Sequence, residues 1–127
     1  MAIRKFNVTP VTGTATATAY SPYLSGFIES IEYVKDGSIP YSDGVDFTIT
    51  AEATGESILS LTDQNSSVLK RPRAATHSVA GVAAVYASGG TAVNDRIALA
   101  RDRVKIAIAQ GGNGKQGKFI ITVDDGR

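Results

Sequence analysis

Arg103-Val104-Lys105-Ile106-Ala107-Ile108-Ala109-Gln110, a link Gly111-Gly112-Asn113-Gly114-Lys115-Gln116-Gly117, and Lys118-Phe119-Ile120-Ile121-Thr122-Val123 form two apolar alternations around a glycine-rich reversal. Side chains on a strand alternate between its two faces, so Val104, Ile106 and Ile108 share one face, as do Phe119, Ile121 and Val123. Glycine tolerates the positive backbone angles of a reversal, and the spacing predicts a hairpin of two strands, each with one face in a core.

The same alternation recurs upstream. Val45, Phe47, Ile49 and Ala51 alternate with Asp46, Thr48, Thr50 and Glu52, a strand with one buried and one wet face. Phe27 to Val34 reads as a strand apolar on both faces, with Phe27, Ile31 and Tyr33 on one side and Ile28, Glu32 and Val34 on the other. Ile3 to Val8 is a short strand ended by Thr9-Pro10, and Ile58 to Leu61 is another. Lys35 to Gly44 reads as a long exposed loop, and Arg101-Asp102 as a turn. Val79 to Ala87 is strand or a turn or two of helix, which periodicity does not decide. Short strands at turn-punctuated intervals, with no internal repeat or interdomain linker, predict one all-β domain over residues 1–127. Its expected fold is an antiparallel, jelly-roll-like β-sandwich.

Thr12 to Tyr20 sets threonines against Gly13, Ala15, Ala17 and Ala19, and branched threonine favours a strand. A face with nothing larger than alanine buries little, so residues 1–22 are either an edge strand or an extended N-terminal arm that docks on a neighbouring subunit. Were they an arm, deletion of residues 1–19 would leave a folded domain unable to bind its partner.

The chain has 127 residues, 13 basic and 12 acidic side chains and a formal net charge of +1. No global field therefore draws it to nucleic acid or a membrane surface. Cysteine is absent, which excludes disulfides and thiolate chemistry. Met1 to Phe6 lacks a secretion-signal apolar run, and no segment approaches the roughly 20 apolar residues that span a bilayer, so a soluble protein made in the cytoplasm is expected.

Candidate chemistry is sparse. His77 is the only histidine and stands outside any nucleophile frame. Asp43, Asp46 and Asp63-Gln64-Asn65 lack the spacing of a calcium loop. Gly111 to Lys115 lacks the following Ser or Thr and helix of a phosphate loop. The residues point to no catalytic centre, cofactor, metal or small-molecule substrate. Candidate partner contacts are Thr14, Thr16 and Thr18 on the threonine face, and Tyr23 and Tyr41 in expected loops. The basic cluster Lys70, Arg71 and Arg73 adds a site for an electrostatic protein contact rather than nucleic acid, since no aromatic platform for bases adjoins it.

Three stretches carry a family resemblance: Ala19 to Gly26 (AYSPYLSG), Gly44 to Gly55 (GVDFTITAEATG) and Asp102 to Gly112 (DRVKIAIAQGG). In these the chain resembles small structural proteins encoded among the head genes of tailed bacteriophages. The resemblance implies a capsid cement or decoration protein, a β-sandwich on the outer surface of the phage head that bridges major capsid subunits and self-associates as a dimer or trimer. Another virion part, such as a head-tail connector, tail-tube or head-fibre base subunit, is the alternative; a carbohydrate-binding β-sandwich ranks below both, for want of clustered exposed aromatics.

Overall fold

The computed structural model describes residues 2–125. The described residues form ten strands: β1 (Ile3–Val8), β2 (Ala17–Tyr20), β3 (Leu24–Lys35), β4 (Asp46–Ala51), β5 (Ser57–Leu61), β6 (Val68–Lys70), β7 (Arg73–Ala75), β8 (Asn94–Asp102), β9 (Val104–Ala109) and β10 (Gly117–Asp124). One sheet runs β1-β10-β3-β8-β7, with β6 pairing the second half of β3, and the other runs β2-β9-β4-β5. The strand pairings among the described residues are all antiparallel.

The inward faces of the two sheets meet in one core. Phe47 of β4 lies 4.7 Å from the Tyr33 ring of β3 and 4.9 Å from the Phe119 ring of β10, so the aromatic contacts cross between the sheets. Around them Ile28, Ile31, Ile49, Val104, Ile106, Ile121 and Val123 are fully buried. This is an all-β sandwich, assembled from alternating apolar residues on facing strands.

The glycine-rich reversal does not close a hairpin. β9 pairs with β2 and β4, and β10 with β1 and β3, so residues 110–116 arch from one sheet to the other. The face assignment is nevertheless the expected one, because residues that would share a hairpin face also confront each other across a sandwich. Period-2 alternation reads burial, and it does not name the neighbouring strand. The arch is held by hydrogen bonds from the Gly111 N–H to Ala15 O (2.8 Å), from the Gly114 N–H to Thr12 O (3.1 Å) and from the Ser42 N–H to Gly111 O (3.0 Å).

Over residues 2–22 the chain lies in the two sheets and forms no arm, Met1 being outside the described residues. β1 lies on β10 over its whole length and sends Val8 into the core, while β2 lies on β9. Each is the outer strand of its sheet, and Ala17 and Ala19 pack against the core beneath. The threonine alternation extends further than the strand, because Thr12 is buried and binds the arch instead: its Oγ1 accepts the Lys115 N–H at 3.0 Å.

Two irregularities re-aim side chains. Opposite Thr122 and Val123, β3 presents Ser30 and Ile28, leaving Glu29 as the extra residue of a bulge. The bulge shifts the phase, so Ile28 joins Ile31 and Tyr33 in the core while Phe27 is turned outward. Farther along, β8 runs through Arg101 and Asp102, where a turn was expected. Arg101 takes a positive φ of 48° and gives its N–H to Ser25 Oγ at 3.0 Å. The buried Asp102 carboxylate then accepts the N–H groups of Ala53 (2.9 Å) and Arg103 (2.7 Å), fixing the step into β9.

Candidate partner-contact surfaces

Where β8 passes into β9, Arg103 emerges beside the end of β2. Its guanidinium lies 4.1 Å from the centre of the Tyr20 ring and 5.0 Å from that of Tyr23. Its Nε and second terminal nitrogen donate to the two oxygens of Glu52, at 2.8 and 2.5 Å. A fork-to-fork pair fixes the plane of the guanidinium, and two aromatic faces then stack on a part that is already held. The Arg103 hydrogen bond holds the Glu52 carboxyl below the usual carboxylate range, and the same bond raises the guanidinium. Tyr23 keeps 66% of its surface exposed, so the cluster presents a rigid aromatic surface to solvent.

This patch joins one of the sequence candidates, Tyr23, to Tyr20, Glu52 and Arg103, which the sequence reading passed over. Tyr23 is exposed. Thr14, Thr16 and Thr18 line the outer face of the 14–18 segment and are exposed. Tyr20 and Arg103 follow from their places at the end of β2 and in the step just before β9, strands that adjoin in the register Tyr20↔Lys105. Their signal lay in that pairing and not in any local motif.

Tyr41 is a correction. It is buried, its ring lies 6.2 Å from Tyr33 and 5.8 Å from Phe47, and its hydroxyl donates to Pro10 O at 2.6 Å. The loop Lys35 to Gly44 folds inward at this point, carrying an aromatic that closes one end of the core. Burial raises the Tyr41 and Tyr33 hydroxyls above the ordinary tyrosine value. A tyrosine in a polar loop reads as exposed until the strands that frame the loop are known.

The basic cluster is divided by the structure. Lys70 and Arg71 are exposed, Pro72 between them and Arg73 is buried, and Arg73 turns its guanidinium back onto the carbonyls of Pro72 (2.8 Å) and Glu29 (3.3 Å). Arg73 is exposed as well, but its guanidinium is committed to these carbonyls, whereas Lys70 and Arg71 extend into solvent. His77 is exposed and bridges Ala83 through its backbone, away from any carboxylate cluster. Arg96 covers the Phe27 ring at 4.4 Å and pairs with Glu29 and with Asp124 (3.1 Å), which gives the outward-turned Phe27 a cationic lid.

One groove of about 230 Å³ runs beside Tyr23, floored by Phe6, Leu24 and Val123 and flanked by the Arg4–Asp125 ion pair (2.9 Å). A second of about 330 Å³ lies among Thr9, Val34, Lys35, Asp36 and Lys118. Against ligand pockets of roughly 300–1,000 Å³, the first falls below the range and the second at its small end. Among the described residues no group of three or more His, Asp or Glu side chains is placed to hold a metal ion, and no helix is long and apolar enough to cross a membrane.

No family model matches the chain, and no curated protein matches it. Among solved structures, the crystal structure of FLHE is similar with a TM-score of 0.45 and 10% identity, covering 97% of this chain and 98% of that one. A likeness at that level carries no argument about role.

Proposed function

We propose that this chain is a structural virion protein, a capsid cement or decoration protein that binds the outside of a phage head and stabilises the contacts between major capsid subunits. The observation that carries a binding role is the Tyr20–Arg103–Tyr23 cluster at the edge of the four-stranded sheet. Tyrosine and arginine dominate the energetic centres of protein interfaces, and here they are held in place before any partner arrives. The three stretches that resemble phage head proteins point to the partner, and two of them, Ala19 to Gly26 and Asp102 to Gly112, contain Tyr20, Tyr23 and Arg103.

On this reading each copy contributes a modest contact, and the effect on the shell comes from repetition over many equivalent seams. Self-association as a dimer or trimer would place copies on local symmetry axes, which light scattering of the purified protein measures. The deciding test is copy number per particle, by quantitative mass spectrometry against the major capsid protein. A ratio near one, or a simple fraction of it, supports the shell. A dozen copies or fewer moves the chain to a connector or tail, and absence from particles refutes the virion role.

A further inference from the structure

The β7–β8 ladder runs one step past its last named pair, with the Thr76 N–H on Val93 O at 2.9 Å, and there it forks instead of turning. Residues 77–83 fold into one small hairpin and residues 85–92 into another, marked by the bridges His77↔Ala83 and Val85↔Ala92. Gly81 and Gly89 take the positive φ values of 78° and 69° that their turns require. Ala84 sits at the fork. Its N–H donates to Thr76 O at 2.9 Å, and its carbonyl accepts the Val93 N–H at 3.0 Å. The tip therefore satisfies much of its backbone internally and has a defined shape.

Its side chains are not satisfied in the same way. Val79 is fully exposed, Val82 is 65% exposed and Tyr86 75%. Between Arg73 and Asp95 there is no Lys, Arg, Asp or Glu, in a chain that is 20% charged. A surface segment usually carries Lys, Arg, Asp or Glu; this hydrogen-bonded one sets His77, Ser78, Ser88 and Thr91 among a majority of exposed small apolar groups and a tyrosine, and has the character of an unoccupied contact.

We propose that this forked tip is a docking element that seats in an uncharged, apolar groove on a different protein. Charge complementarity selects the groove. A charged one would bury its ions against a tip with no counter-charge, at a cost in desolvation that nothing returns. A second copy of this chain is a poor host: its two described grooves are flanked by Arg4 and Asp125 and by Lys35, Asp36 and Lys118. The inference deepens the cement role and rests on it only in expecting the groove on a capsid subunit.

The test replaces Tyr86 by benzoylphenylalanine in the full chain, in cells producing the virus, with Thr48→benzoylphenylalanine on the opposite sheet as control. The expected product joins Tyr86's position to one other protein, identified by mass spectrometry. It persists at about 1 M salt, where the screening length is about 3 Å. Adding Val79→Ser and Val82→Ser, both solvent-exposed and outside the core, is expected to lower the yield at least about tenfold, since each loses a buried valine's worth of contact. If the captured protein is the major capsid protein, both proposals stand; if it is another protein, the tip assignment stands and the shell reading falls. Capture of a second copy or of lipid, a yield no greater than the Thr48 control, or an undiminished yield in the serine variant overturns the tip assignment.

Discussion

Replacing Tyr41 by Phe removes one oxygen and leaves the ring in place among Tyr33 and Phe47. That oxygen donates to the carbonyl of Pro10, which is itself buried, across a distance of 2.6 Å. A typical internal hydrogen bond contributes about 0.5–1.5 kcal/mol net, and a buried carbonyl left without its donor costs about 1–3 kcal/mol. The expected loss is about 1–2 kcal/mol, which for a domain of this size lowers Tm by about 3–8 °C. Urea unfolding followed by far-UV circular dichroism would show it as a shifted midpoint at constant slope. Tyr23→Phe is the internal control, because Tyr23 is exposed, and its change should stay within about 0.5 kcal/mol. Equal stabilities for the two variants would refute the staple and return Tyr41 to the surface. The same burial sets a pH dependence. Both hydroxyls titrate higher in the folded chain than in the unfolded one, so stability is complete below the ordinary tyrosine value near 10 and falls as pH rises beyond it. In Tyr41→Phe that alkaline decline should be shallower.

Other consequences follow from contacts of the same kind. Asp102→Ala strands the Ala53 and Arg103 N–H groups at the step between sheets and should cost about 1–3 kcal/mol in chemical denaturation, whereas Asp102→Asn keeps an acceptor oxygen and should cost less than half as much. Deleting residues 1–19 removes β1 and most of β2 and uncovers β10 and β9, so the product should lose at least about 3 kcal/mol or fail to fold, measured by thermal scan; an undiminished Tm would reinstate a detachable arm. Arg103→Ala should raise the Glu52 titration midpoint toward the ordinary carboxylate range by carbon-detected NMR, with Asp36, held low chiefly by the Ile39 and Ser38 N–H groups, unmoved as reference.

The strands were legible because alternation reports which residues face a core. Val45, Phe47, Ile49 and Ala51 are buried as their spacing requires, as are Val104, Ile106 and Ile108. Partnership was not legible, for a physical reason. The pairing of β10 with β1 and β3 is a contact between remote segments, and nothing local distinguishes an arch between sheets from a hairpin within one. Phe27 was misassigned because a bulge adds one residue and inverts the phase beyond it. At the surface, tyrosines in loops look alike in sequence, yet Tyr23 is out and Tyr41 is in. The forked tip left a trace of a different kind, the absence of charged residues from Ala74 to Asn94, which is invisible to a search for motifs.

The position of β10 also bears on how the chain is made. It lies between β1 and β3, and of all ten strands it is the last to be synthesised. Until it emerges, β1 has no neighbour in its sheet, and the exposed flank of β3 is open to strand-pairing with other chains. The four-stranded sheet can gather earlier, but the core it faces lacks Phe119, Ile121 and Val123. Closure is thus a late event that joins distant parts of the chain, a pattern associated with slow folding and with exposure to aggregation on the way. An interrupted chain would have no half-sandwich to fall back on, which leaves newly made copies either complete or open to proteolysis.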